Sequence, residues 1–539
     1  MGASVAWPSK RREFATALAV IAGWALLMGI VLWRFPPAGD DAYPHAVFGI
    51  EQLHCWRGGV AWPRFHPDWN GATGSFWPAI YSPIALAIQG GATLLTGEGT
   101  RAVALALLLA TILGAFLVRS GFRSPPVIWW LWLALPYVLV DIFSRATVTE
   151  MWALAAAAGI LSFALPPGPV RTGKGIALVF LTAFAAGSQP MMLLIVGVPL
   201  VVAWLVSVPL RDHASWGRAV AWGTAAVLTA GVFWLPPLLQ LGLFDRQALF
   251  GGQYAWREHF ATSVLGNSEL GPALLAIWIA IAAIAAVGAI RLRQDNSHEA
   301  RAQVFFVAAC VLLACPLSAP LWELSGLGVV QFPWRFLGPA SVVSIVVLAR
   351  FPRRLAQALG AVLLVPALLV PIDVDGGSPP LDAGLSGSSL AAACSVRYGI
   401  APILATTPGE YTKGFEPLGS LRSIHRQPAT VEMRAGSCCR RTYQVVAPAA
   451  GPVLLPVQWW PEWQLSIDGQ SNTFVNREGL VAVTVPVGSH TVNLKLGPAR
   501  ARRMGAGITI AGLLAVALLW MRGRRGHEDP RLAGGTREA

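Results

Sequence analysis

Charge is scarce in this chain. Lys, Arg, Asp and Glu fill 12% of its 539 positions, while hydrophobic residues fill 55%; soluble domains carry roughly 25% charged residues. That balance excludes a soluble globular protein and predicts a polytopic membrane protein. The formal net charge is +13, but Lys and Arg stand in short clusters between apolar runs and not on one face of a folded domain, so nucleic acid is not an expected partner. Cysteine is also rare: six residues with no CxxC spacing support neither a zinc site nor a redox motif. Cys310 and Cys315 lie in an apolar run, where Cys acts as a small hydrophobe. No Gly-rich phosphate loop stands between a strand and a helix, and no repeat of fixed period is visible. The first apolar run lacks a small-x-small site before Arg34 and reads as an anchor helix, not a cleaved leader.

Long hydrophobic runs are what the chain has instead. Residues 14–34, 101–118, 127–144, 150–166, 175–189, 190–208, 216–235, 270–290, 303–319, 336–350, 355–371 and 503–521 are each candidate spans, about twelve in all. The run 79–96 decides the topology. If it crossed, Arg119 and Arg123 would lie outside and every later basic loop would invert. If it lies along the outer surface, the loops bearing Arg119/Arg123, Arg171/Lys174, Arg211/Arg218, Arg291/Arg293/Arg301, Arg350/Arg353/Arg354 and Arg522/Arg524/Arg525 all face inward, as the positive-inside rule prefers. This arrangement predicts a membrane domain over 1–371 with outer loop 35–100, an external β-rich domain over 372–500, a final span over 501–525 and a polar tail over 526–539. Both termini are then cytoplasmic, in a bacterial inner membrane. In the external domain the alternation in 464–469, 480–488 and 491–496 predicts antiparallel strands of a small sandwich. Cys394, Cys438 and Cys439 fall there, with any disulfide pairing left open.

The same topology collects distant polar groups at one membrane face: loop 35–78, the junction Arg145–Glu150, the turn Ser188-Gln189-Pro190, the string Gln331-Phe-Pro-Trp334-Arg335, and loop 236–269. Asp40 and Asp41, just beyond the first span, are candidates for a general base or a substrate-orienting carboxylate, because low-dielectric surroundings raise a carboxylate toward working pH. They are equally readable as markers of the water interface. Arg145 and Glu150 have almost no loop to hold them in water, so they need each other or a ligand; an Arg fork suits phosphate. His45, four residues from Asp41, would share a helix face with it, yet two ligands make no metal site. No organic cofactor is expected, and a divalent metal is left open. Trp62, Trp69, Trp77 and Tyr81 could stack on sugars or simply sit at the membrane interface.

Several strings taken together resemble a family of bacterial polytopic proteins catalogued as related to 6-pyruvoyl-tetrahydropterin synthase: Gly39-Asp40-Asp41-Ala-Tyr-Pro-His45, Trp62-Pro-Arg-Phe, Tyr81-Ser-Pro, Pro136-Tyr137 through Arg145 to Glu150, Gln331 to Arg335, and Trp459-Trp-Pro-Glu-Trp463 with Asp468-Gly469. No zinc-binding His triad of a pterin synthase accompanies them. The resemblance implies an architecture similar to the GT-C glycosyltransferases, in which an acidic residue opening the first outer loop acts as base or orients the acceptor, and a polyprenyl-phosphate sugar serves as donor on the outer face. Asp40 or Asp41 takes that position. His45, Arg145, Glu150, Gln189, Gln331, Trp334 and Arg335 are then expected around substrate and phosphate, with Arg335 holding phosphate while Trp334 packs. The expected activity is sugar transfer to an envelope glycan or lipid acceptor; a secondary transporter and a non-catalytic envelope-assembly protein are the alternatives.

Overall fold

The computed structural model describes residues 10–69, 73–122, 131–165, 172–263, 269–372 and 427–528. Runs of Leu, Ala and Val that meet lipid must close their backbone hydrogen bonds within the segment, so they coil. The first elements are α1 (Lys10–Arg34), α2 (Ala42–Arg57), the short α3 (Trp77–Ile80), α4 (Pro83–Thr96) and α5 (Gly99–Phe122). Large apolar side chains on the helix exteriors, among them Leu26, Leu27, Ile30, Phe180, Leu205, Ile279 and Leu514, remain exposed. With so many apolar helices that belt makes the chain a multi-pass membrane protein.

Among the described residues three helices are long and apolar enough to cross alone, at 99–119, 271–291 and 500–524, and the count is five if each of two bent pairs is one span. The bends are 63° between His213–Thr229 and the helix from Gly231, and 86° between His298–Leu313 and the segment from Pro316. Other apolar helices are shorter: Val148–Ala164, Thr172–Ser188, Met192–Ser207 and Leu337–Leu348 hold 17, 17, 16 and 12 residues. The expectation of about twelve spans counted hydropathy; helix length is cut where a run meets a proline or the polar cluster described below. The candidate span 127–144 lies partly outside the described residues and ends in a π-helical turn, Val140–Ser144. The run 79–96 folds as α3 and the 14-residue α4, closed by left-handed Gly97. At 1.5 Å per residue α4 is about 21 Å long, short of a hydrocarbon core of about 30 Å. It packs against α2 and α5.

Beyond the helices, among the described residues, eight strands form two antiparallel sheets: β1 (Thr430–Ser437), β2 (Arg440–Ala447), β3 (Gly451–Gln458), β4 (Trp463–Ile467), β5 (Gln470–Asn472), β6 (Val475–Arg477), β7 (Leu480–Val485) and β8 (Gly488–Leu496). The orders are β1-β2-β8-β4-β5 and β3-β7-β6. Asp468 and Gly469 have φ of 48° and 85°, the positive pair that a two-residue hairpin between β4 and β5 requires. Strands β4, β7 and β8 coincide with the expected alternating segments. Cys394 lies outside the described residues.

The strand unit shares its core with the first outer loop. Phe65 and Phe76 lie among Trp460, Trp463, Tyr443 and Leu494, and Phe76 stacks on Trp460 at 4.4 Å and 7°. The register slips between Leu455 and Gln458, and such a bulge re-aims side chains. Gln458 is thereby turned to the loop: its Oε1 accepts from the Phe76 amide at 2.9 Å, and its own amide donates to the Thr73 carbonyl at 2.9 Å. Arg64 pairs with Glu462 and donates to the Gly497 carbonyl. A disulfide joins Cys55 of α2 to Cys438, with Cα atoms 5.5 Å apart, while Cys439 is free. The aromatics of the loop therefore do more than mark an interface. Trp69 is buried, and Trp62 lies under the Arg502 guanidinium at 4.5 Å.

Candidate functional site

The local fold builds the site from two tight junctions. Gly39 lies against the turn after the π-helical segment, where an added Cβ would come within 2.3 Å of the Ser144 carbonyl oxygen. Only a residue without a side chain permits that approach. The contact lets the Asp41 amide donate to the Arg145 carbonyl at 2.8 Å, and Asp41 stands at the N-terminal cap position of α2, its side chain making no cap bond, with His45 one turn in. At the other junction the π turn closes with the Arg145 amide on the Val140 carbonyl, 3.0 Å. The wider turn lets Arg145 reach back to Asp141, and Ala146 takes φ of 53°. π turns and left-handed non-glycine residues are sparsely populated and concentrate at functional sites.

Arg145 is the hub. Its Nη1 lies 2.7 Å from Asp141 Oδ1 and 2.8 Å from Glu150 Oε2, and its Nη2 lies 3.5 Å from Asp41 Oδ2. Arg335 Nε reaches Glu150 Oε2 at 3.1 Å, and the Tyr137 hydroxyl donates to Glu150 Oε1. Trp334 lies flat beneath Arg145, 4.6 Å from ring centre to guanidinium carbon. Arg335 also donates to the Val330 carbonyl at 3.1 Å and approaches the Met191 sulfur at 3.8 Å. Three carboxylates thus face two guanidiniums in a setting where unpaired charge is costly. Asp141 and Glu150 are sealed, but the Asp41 side chain is 40% exposed. Thr147 donates to its Oδ2 at 2.9 Å, leaving Oδ1 and the outer edge of the carboxylate toward solvent.

Most of the expected residues meet here. Asp41, Arg145, Glu150, Trp334 and Arg335 form one network, and Gln189 is buried in the turn that supplies Met191. Asp40 is exposed, so the two aspartates have different surroundings. Gln331 has φ of 64°, and its amide donates to the Leu249 carbonyl at 2.6 Å, pinning loop 236–269 to the site rather than pointing into the network. His45 is buried, with Nδ1 at 2.8 Å from Gln89 Nε2. Burial foremost, and the charge of Arg145, lower its pKa from 6.5 to about 4 against the pull of Asp41. It is a neutral second layer behind Asp41. Among the described residues no group of three or more His, Cys, Asp or Glu side chains converges as a metal site would. The network adds Asp141, Tyr137 and Thr147 to the expected residues. Asp141 had a signal, a carboxylate inside an apolar run; Tyr137 and Thr147 lay within the string 136–150 that carries the resemblance but had no chemical signal of their own.

No family model and no curated protein matches the chain. Among solved structures it is similar to the ArnT of Cupriavidus metallidurans bound to undecaprenyl phosphate, 18% identical over 64% of this chain and 62% of that one, TM-score 0.44. The apo state of the same ArnT is 17% identical over the same shares, TM-score 0.43. The Archaeoglobus fulgidus oligosaccharyltransferase in the apo form is 15% identical over 76% of this chain and 58% of that one, TM-score 0.44. The chain spans about three fifths of the length of these structures.

Proposed function

We propose that this protein is a GT-C-type glycosyltransferase of the bacterial inner membrane, moving a sugar from a polyprenyl-phosphate carrier to a cell-envelope acceptor at the outer face. The reading stands on one observation: a half-exposed carboxylate, Asp41, held by Thr147 and Arg145 at the mouth of an otherwise sealed charge network. In the proposed step Asp41 accepts the proton of an acceptor hydroxyl as that oxygen bonds to the anomeric carbon. The bond from the anomeric carbon to the carrier phosphate breaks with its electron pair staying on the phosphate, and configuration inverts. Arg145 Nη2, whose 3.5 Å contact to Asp41 is the longest ion pair of the network, is the guanidinium edge placed to meet the leaving phosphate. Arg335 and Glu150 hold Arg145 in place. Undecaprenyl phosphate, the ligand of the similar ArnT structure, exemplifies the carrier class.

The orientation belongs to the same proposal. Leu337–Leu348 runs from the site to Arg350, Val148–Ala164 starts at the site, and Arg500–Glu528 starts beside Trp62 and runs to Arg522 and Arg524. In this proposal the Arg350 end and the Arg522 and Arg524 end lie in the cytoplasm, although Arg500, Arg502 and Arg503 open the same last helix at its other end. The test is transfer by purified protein from a polyprenyl-phosphate sugar. Asp41→Asn is expected to lower kcat by at least about a hundredfold, the usual scale of a lost general base, with Asp40→Asn within a few fold of wild type. Equal activity of wild type and Asp41→Asn overturns the assignment.

A further inference from the structure

Behind the Gln331–Arg335 string, segments 241–257 and 322–329 enclose an open cavity of about 550 Å³, within the range that holds a drug-sized ligand. Its lining includes the apolar Leu241 and Phe250 and the charged Arg246, Arg257 and Glu323. Arg257 is held in a fixed plane. Its guanidinium carbon lies 4.7 Å over the Trp256 ring, and Nη2 meets Glu323 at 3.0 Å. Trp256 in turn stacks at 5.6 Å and 20° on Trp322, whose indole N–H is anchored to the Leu313 carbonyl and the Ser318 hydroxyl. Gly328 gives the cavity its depth, because a Cβ there would come within 3.1 Å of the Trp256 ring.

Two guanidiniums against one carboxylate give the lining a net positive charge, and a guanidinium fixed over an indole keeps its remaining N–H edges for a planar oxyanion. The Arg257 and Glu323 side chains are 64% and 53% exposed, so the charged part of the lining is open to the outside of the fold. The cavity also shares walls with the transfer site: Trp322 packs against Phe336, next to Arg335, and Gln331 holds the Leu249 carbonyl beside Phe250. We infer that this cavity is the acceptor subsite and that it takes an anionic saccharide, its acid group on Arg246 and Arg257 and its apolar ring face on Leu241 and Phe250. The inference rests on the transferase reading above, but its test needs no transfer.

Full-length protein in phosphatidylcholine nanodiscs is titrated with tetragalacturonate and with its carboxyl-reduced, neutral counterpart, using calorimetry. The acidic tetrasaccharide is expected to bind about tenfold or more tightly than the neutral one. Arg257→Gln and Arg246→Gln should each weaken it by about tenfold and leave the neutral sugar unchanged, whereas Glu323→Gln, which removes no cation, should tighten it. Equal affinity for the two sugars overturns the inference, as does acidic binding that ignores both Arg substitutions. Nanodiscs containing phosphatidylglycerol separate the sources of the oxyanion: unchanged saccharide affinity is expected, and its abolition by the anionic lipid overturns the inference in favour of a lipid headgroup site. Asp41→Asn should bind the saccharide normally, so a failed transfer mechanism and a failed acceptor site give different results.

Discussion

At the scale of single residues, the site works by unequal exposure of similar groups. Glu150 receives Arg145, Arg335 and Tyr137, so removing its charge takes from Arg335 its ion-pair partner and leaves Arg145 with Asp141 and Asp41. Glu150→Gln is expected to cost about 3–5 kcal/mol, the usual result of breaking one side of a buried pair, read as a lowered thermal midpoint of the purified protein. His45 gives a pH signature. It is neutral in the fold, and its pKa is depressed to about 4 by burial and by Arg145, so it binds a proton more readily when unfolded. Its contribution is fully present above pH 6.5 and is lost as pH falls from there toward 4. His45→Gln should flatten the decline of thermal midpoint over that window; an unchanged slope assigns the decline to other groups.

At the scale of elements, two junctions carry the geometry: Gly39 against Ser144, and the π turn that folds Arg145 back on Asp141. Gly39→Ala, whose Cβ would lie 2.3 Å from the Ser144 carbonyl oxygen, must push α2 away from the turn. Transfer activity is expected to fall as far as in Asp41→Asn while the protein stays folded by gel filtration. This is also where the sequence was least legible. Hydropathy located the apolar runs and alternation located β4, β7 and β8, because both patterns follow from burial alone. Charge in an apolar setting marks Arg145 and Glu150 in the sequence itself. A π turn and the positive φ of Ala146 and Gln331 leave no periodic trace, since each is imposed by what packs against it, whereas the break at Pro316 is a local proline signal that a count of apolar runs passes over. The pairing of Cys55 was hidden for the same reason: its partner is chosen by the docking of the strand unit, not by spacing.

At the scale of the whole molecule, the strand unit is bound to the first outer loop by a disulfide, an aromatic stack and the Arg64–Glu462 pair. The loop leads from Asp41 into that joint, so it braces one wall of the site. Removing the crosslink with Cys55→Ser is expected to destabilise the protein by about 2–5 kcal/mol, measured as a fall in thermal midpoint that dithiothreitol reproduces in the wild type. The two cysteines are 383 positions apart. A ribosome that has released Cys55 must therefore translate most of the remaining chain before its partner emerges, and the brace closes late in synthesis. Any product broken off before residue 438 retains Asp41 and Arg145 yet has no means of locking the wall beside them, so assembly itself distinguishes finished chains from unfinished ones.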